Sequence, residues 1–398
     1  MNFKIIKGGL MKLWSKLFIL TVSLVLMLNF SALAADKGNF STKPTTNNGK
    51  KWRIGYFEGG EYNAYQYNMV GIINGLMSTG WIEQTAIPPQ TGEQTKYLWQ
   101  WLGNNAKSQY IEFVQDAHYS GNWNDETIGK IVSDIINRLN NTKDIDLMIA
   151  AGTKAGLGIA NDKHHTSTIV ISTTDPLSAG IIKSIQDSGY DHIHARVDPY
   201  RHERQINIFH DIIGFKKLGM AYLNTDQGRS FASFDSVKKI SEKRDFEIVS
   251  CYTTDESPNV KDDEESVKKC FHELGKKVDA IYVTAQNGVN QNSIPELVKI
   301  AHQYKIPTFS QTHSDEVKYG FLMSVSSANY SYVGEFYAKT IAKIFNGAKP
   351  RQLDQVFEGP PKIAINLKTA EIIGYDPPVD VLSAADEMFQ EITTPKKD

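Results

Sequence analysis

Short polar side chains in this sequence cluster just after apolar, β-branched runs. Gly152-Thr153 follows the run Ile145–Ala151, and Thr173-Thr174-Asp175 follows Thr168–Ser172. Small residues at a helix start, with unsatisfied amides behind them, suit a carboxylate or another small polar group. Two further strand ends carry the same chemistry, Asn224-Thr225-Asp226 and Thr284-Ala285-Gln286-Asn287-Gly288. A fifth, Glu58-Gly59-Gly60, offers a flexible rim and a carboxylate able to take an ammonium. Two of these acids have bland readings beside the functional ones. Asp175 is either a cleft carboxylate or the cap of the next helix, and Glu58 is either a ligand contact or a solvated rim acid.

No catalytic constellation assembles around these groups. Ser230 sits in Gly-Arg-Ser-Phe-Ala-Ser without the G-x-S-x-G elbow of a hydrolase. His164 and His165 are adjacent and cannot share one helix face, and no H-E-x-x-H occurs. Gly152–Gly156 lacks the order of a phosphate loop. The expectation is binding without chemistry, and without cofactor or metal. Aromatic side chains crowd the same loops: Tyr56, Phe57, Tyr62, Tyr65 and Tyr67, then Trp99 and Trp101. Flat rings in a polar cleft suit an aromatic or extended apolar ligand. The other reading of Tyr97-Trp99-Trp101 is a packed surface flap.

The elements that must hold these loops alternate. Strand patterns at Trp52–Phe57, Ile111–Val114, Ile145–Ala150 and Ile169–Ser172 are separated by helical periodicity, which predicts a parallel sheet covered on both faces. After Pro176 a second βα series of nearly equal size begins. Strand and helix patterns remain at Gly320–Ser326, Tyr332–Phe345 and Lys362–Ile373, so the chain is expected to return to its first lobe. The predicted class is α/β: two Rossmann-like lobes joined by a multi-strand hinge, with the site in the cleft between them. The expected boundaries are 51–177 plus 322–388 for the first lobe and 178–321 for the second.

The N-terminus carries an export pattern. Lys12 and Lys16 precede the apolar run Leu17–Leu28, and Ser31-Ala32-Leu33-Ala34 supplies a cleavage site. Residues 1–34 therefore read as a signal peptide, with translation starting at Met1 or Met11, and 35–50 as a polar, disordered leader. With 43 basic against 45 acidic residues the net charge is −2, which asks for neither nucleic acid nor an anionic membrane surface. The exported chain is expected to be soluble and monomeric. Its two cysteines, Cys251 and Cys270, either pair in an oxidising compartment or lie apart as half-buried thiols.

Gly152-Thr153 before an alanine-rich helix, Ile169–Pro176 running to Ala179-Gly180, Ala328–Pro350, and Ile365–Gly374 with its Pro377-Pro378 tail together resemble one family. It is the periplasmic, type I-like solute-binding proteins of ABC importers that include tryptophan-, tyrosine- and phenylalanine-binding members. The resemblance spans Trp52 to Phe389. It implies three crossovers, closure over one small molecule, and docking on a membrane permease. Ligand contacts would fall near Glu58 and Gly59, with Tyr65 beside them, on Thr153, on Thr174 and Asp175, and on the loops at Asn224 and Gln286-Asn287. Amino-acid-binding members place an acid in the loop after the strand that matches Ala280–Val283. Here that loop reads Ala285-Gln286-Asn287, leaving an ammonium without a charged partner. The rival expectations are a receptor subunit feeding a membrane sensor and a hydrolase or transferase on the same frame.

Overall fold

The structure is a computed structural model that describes residues 36–90, 95–254, 259–327, 330–359 and 361–395. The expected signal peptide lies outside the described residues. The chain opens with strand β1 (Trp52–Glu58), helix α1 (Asn63–Ser78), α2 (Lys96–Asn105) and β2 (Ile111–Ser120). Then come α3 (Asp125–Asn137), β3 (Leu147–Ala151), α4 (Gly152–Ile159), β4 (Ser167–Ile171) and β5 (Ile193–Ala195). These strands form one parallel sheet in the order β2-β1-β3-β4-β5. All five residues of β3 are buried, as a central strand covered on both faces requires.

The second series follows: α5 (Arg201–Ile213), β6 (Lys217–Tyr222), α6 (Asp226–Phe231), α7 (Phe234–Arg244), β7 (Glu247–Tyr252), α8 (Val260–Leu274) and β8 (Ala280–Val283). It continues through α9 (Ile294–Tyr304), β9 (Thr308–Ser310), α10 (Ser314–Lys318), β10 (Met323–Ser327), α11 (Tyr330–Phe345), β11 (Pro361–Asn366), α12 (Leu367–Ile373), α13 (Val379–Ala384) and β12 (Glu387–Phe389). The second sheet runs β12-β11-β10-β9-β8-β6-β7, antiparallel only between β10 and β11. A disulfide joins Cys251 of β7 to Cys270 of α8, with Cα atoms 5.6 Å apart, and decides between the two readings of that pair.

Three expectations are corrected. The chain does not leave the first lobe at Pro176, because β5 pairs with β4 and the crossing falls between Ala195 and Arg201. The C-terminal strands do not rejoin the first sheet: β10, β11 and β12 extend the second. What returns is α11, packing Val333, Tyr337 and Ile341 into the core with β1 and α1, followed by the turn Pro350–Gln352 against β4 and β5. Nor is the leader loose. Trp52 and Trp81 donate their indole N–H groups to the carbonyls of Thr45 and Thr42, and Asp36 pairs with Lys343 of α11.

The lobes are therefore linked by three crossings: before α5, between β10 and α11, and between α11 and β11. The first and third run side by side, with Val197 N–H donating to Gln355 O at 2.7 Å and Phe357 N–H to Val197 O at 3.0 Å. Short crossing segments of this kind are where hinge motion between two lobes is absorbed.

Candidate functional site

The carboxyl ends of β1, β3 and β4 face those of β6, β8 and β9 across the interlobe cleft. On the first-lobe side Gly152 starts α4 straight out of β3 with φ +85°. A side chain there would collide with the Tyr65 hydroxyl, since a Cβ would lie 1.9 Å from it. The glycine thus brings Tyr65 and Thr153 together at one wall. After β4, Ser172 adopts φ +57°, a strained conformation for a side-chain-bearing residue. That turn presents Ser172 and Thr174 to the cleft.

The outer cavity, about 70 Å³, is lined by Tyr62, Tyr65, Trp123, Thr153, Lys154, Ser172, Thr174, Phe231, Ala285, Gln286 and Asn287. Rings from both lobes face it, and three form a cluster: Tyr62 edge-on to Tyr65 at 5.4 Å, and Tyr65 to Trp123 at 6.2 Å. Thr153, Thr174 and Asn287 add polar side chains to its lining. Lys154, nearly buried and paired with Asp125 at 2.6 Å, adds a cation to the wall. Behind it, toward the hinge, lies a larger chamber of about 330 Å³. The two share Tyr62, Ser172, Thr174 and Ala285, so they form one continuous space.

Of the sequence-predicted residues, Tyr65, Thr153, Thr174, Gln286 and Asn287 line the outer cavity. Gln286 does so with a spent amide: it donates to Ala221 O and Thr284 Oγ1 and accepts from Thr253. The structure does not bring the other four in. Asp175 accepts the Leu177 and Ser178 amides and the Ser178 hydroxyl, so it holds a turn; no helix forms between β4 and β5 for it to cap. It lines a separate outer pocket with Asp226 and Arg229. Asn224 is exposed and lines neither cavity. Gly59 acts through its carbonyl, which accepts the Trp123 amide at 2.8 Å.

Glu58 lies behind the wall, 1% exposed, accepting hydrogen bonds from Tyr56 at 3.0 Å and Thr95 at 2.7 Å. Burial pushes its carboxyl up to about 7, against those two hydrogen bonds, which favour the charged form. A folded-state value above the unfolded one means a contribution to stability that is complete at low pH and lost as pH rises. The window runs from about 4.5 to about 7. Relative to Glu58→Gln, the wild type should lose roughly 2–3 kcal/mol between pH 4.5 and 8, because each pH unit separating the folded from the unfolded titration is worth about 1.4 kcal/mol. Urea unfolding of both proteins across that range checks it; parallel stability curves would refute the assignment.

The residues that sequence reading missed are Trp123, Lys154 and Phe231, together with the hinge chamber's Arg196 and Arg201. Trp99, by contrast, is 1% exposed in the first-lobe core and donates to Val114 O. It is neither cleft nor flap.

Two α/β lobes, three crossings and a cleft lined from both sides define a two-lobed solute-binding protein of the periplasmic type I fold. The sequence agrees: residues 108–389 match the ABC transporter substrate binding protein family, and the chain belongs to that family. A tyrosine-binding protein of Clostridioides difficile is 26% identical over 163 residues, which cover 41% of this chain and 44% of that protein. The match thus spans less than half the length of that curated relative. Among solved structures, a conserved domain protein of Vibrio cholerae superposes with a TM-score of 0.65 at 19% identity, covering 85% of this chain and all of that one. A Streptococcus pneumoniae ABC domain in complex with L-Trp gives 0.63 at 20% identity, covering 84% of this chain and all of that one. These likenesses establish the fold. Among the described residues no helix is long and apolar enough to cross a membrane.

Proposed function

We propose that this protein captures a small aromatic carboxylate, an aromatic amino acid or its close relative, outside the cytoplasm and hands it to an ABC permease. The observation that carries the reading is the ring-faced cavity between the lobes, with Tyr62, Tyr65 and Trp123 on one side and Phe231 on the other. Tyr65, Thr153, Thr174 and Asn287 are the proposed contacts. A molecule held by both lobes at once binds the closed form better than the open one and shifts the population toward it. The permease then reads the closed surface. Family membership and the resemblance to aromatic-amino-acid-binding members support transport over sensing.

The test is thermal unfolding of the chain from Ala35 with phenylalanine, tyrosine and tryptophan, their deaminated acids, aliphatic amino acids and sugars. A ligand at a hundred times its Kd stabilises by about 2.7 kcal/mol, so a rise in Tm of several degrees is expected with the aromatic compounds. A rise confined to sugars or aliphatic amino acids overturns the ligand class.

A further inference from the structure

The chamber behind the aromatic cavity contains an arginine that no carboxylate pairs directly, Asp198 acting on it only at longer range while paired with Arg204. Arg201, the first residue of α5, donates from Nη2 to the carbonyls of Gln311 and Thr312 at 3.2 and 2.9 Å. Its Nε is buried with no partner. Arg196, on the same crossing, donates to Phe357 O at 3.4 Å and lies beside the Tyr337 hydroxyl. Among the described residues neither guanidinium has a carboxylate within 4.0 Å. A guanidinium cannot shed its proton to escape burial, so the cost of desolvating it stands until an anion arrives.

Other orphaned atoms surround the same space. Thr173 Oγ1, His202 Nε2 and His313 Nδ1 are all buried without a hydrogen-bond partner, His313 Nδ1 lying 3.9 Å from Asp315, and all three residues line the chamber. His202 and His313 are each 6% exposed. The tautomer of His202 follows from its neighbours. Gln205 donates to Gln311 O and Val325 O, so its Oε1 is the acceptor that takes a proton from His202 Nδ1 at 3.0 Å. That leaves His202 Nε2 as an acceptor facing the chamber. Of the acids present, Asp315 accepts from Tyr67, and Glu387 pairs through Oε1 with Lys362 while its Oε2 is buried without a hydrogen-bond partner. Arg196, Arg201 and Lys362 against Asp315 and Glu387 leave the lining one cation in excess.

We propose that this chamber binds the carboxylate of the captured molecule on Arg201, with the Thr173 hydroxyl as a second donor and Arg196 as a supporting charge. The proposal rests on the aromatic-ligand reading and deepens it. The ring sits among Tyr62, Tyr65, Trp123 and Phe231, and the acid points inward past Thr174 toward the hinge. Because Arg201 opens α5 of the second lobe while Thr173 follows β4 of the first, a carboxylate held by both ties the lobes together. The excess cation also explains how the site dispenses with an acid at Gln286: it selects for anionic character.

The experiment is calorimetric titration of benzoate, phenylacetate, 3-phenylpropionate and 4-phenylbutyrate, each beside its primary amide. In the wild type the best acid should bind at least tenfold more tightly than its amide. Arg201→Gln should bring that ratio below two, and Thr173→Val should lower it several-fold. Arg201 also holds two carbonyls, so if Arg201→Gln does not fold, Arg201→Lys and Thr173→Val decide: an unchanged ratio in both overturns the proposal. Acids and amides binding alike in the wild type would overturn it too, while leaving the aromatic reading intact. Malonate and succinate separate the opposite failure. A rise in Tm with these ringless anions that vanishes in Arg201→Gln supports the chamber even if no aromatic compound binds. No Arg201-dependent response to any carboxylate refutes it.

Discussion

Replacing Gly334 by valine should destabilise the protein by about 3 kcal/mol or more, in urea unfolding of the chain from Ala35. A Cβ at Gly334 would lie 2.1 Å from the carbonyl carbon of Gly71 and 2.2 Å from its oxygen. Gly71 faces Tyr330 O at 2.5 Å in the same sense, and Gly75 faces Gly334 O at 2.8 Å. These are backbone atoms of two helices, α1 and α11, crossing in direct contact. A flexible side chain could swing away, but a helix backbone can yield only by moving the whole helix. Overpacking ordinarily costs about 1–3 kcal/mol, and this site belongs at the upper end or beyond. The consequence reaches function, because α11 sits between the second and third crossings. Pushing it off α1 displaces both hinge segments. Gly129 in the middle of α3 provides the contrast, with nothing within 4 Å of its would-be Cβ. Gly129→Ala should stabilise slightly, by up to about 1 kcal/mol, through helix propensity alone. If Gly334→Ala unfolds within about 0.5 kcal/mol of wild type, the close crossing is not a real constraint.

That crossing also marks the limit of what the sequence revealed. Most of the strand and helix order was legible, because buried parallel strands such as Leu147–Ala151 announce themselves as unbroken apolar runs, whereas the helix Lys96–Asn105 was hidden in an aromatic stretch. Sheet membership was not legible. Whether Met323–Ser327 and Pro361–Asn366 join the first sheet or the second depends on pairing with β9, a contact between segments with no local signature. The same holds for the first crossing: β5 is three residues long, and only its pairing with Thr168–Val170 keeps it in the first lobe. Misplacing that crossing hid Arg196 and Arg201, which it carries into the cleft. Thr153 and Thr174 were found because glycine and threonine after an apolar run are signals carried by the residues themselves. Glu58 was misjudged for the converse reason. A carboxylate ending a strand looks exposed, and only Thr95 and Tyr56, brought from elsewhere, bury it.

Trp123 shows how one irregularity conceals a site residue, and its replacement should have the largest effect on binding. The strand pattern at Ile111–Val114 breaks because the β1–β2 register shifts between Ile54 and Tyr56, so alternation fails although β2 continues to Ser120. Just past that true strand end come Gly121-Asn122-Trp123. Asn122 and Trp123 both adopt left-handed backbone, at φ +49° and +59°. Asparagine tolerates this; for tryptophan it costs about 1 kcal/mol or more. The turn is held by Gly121 N–H on Glu58 O, Trp123 N–H on Gly59 O and the indole N–H on Glu61 O. The indole covers Gly60, where a Cβ would meet the ring at 2.6 Å, and its other side faces the cleft. A strained, only half-buried tryptophan maintained by three hydrogen bonds is better explained by binding than by folding. Trp123→Gly relieves the backbone strain while removing the ring. Binding of an aromatic ligand should then fall by roughly thirty-fold or more, the weight of an anchor worth about 2 kcal/mol. Stability should move by less than about 2 kcal/mol, because strain relief offsets lost contact. Trp99→Ala should do the reverse: that ring is fully buried, and its removal should cost about 3–5 kcal/mol of stability with no direct loss at the cleft. Calorimetric titration and urea unfolding of the two variants separate the roles. Should Trp123→Gly bind as wild type, or unfold as easily as Trp99→Ala, the tryptophan at this turn is a packing residue and the cleft must recognise its ligand through Tyr62, Tyr65 and Phe231 alone.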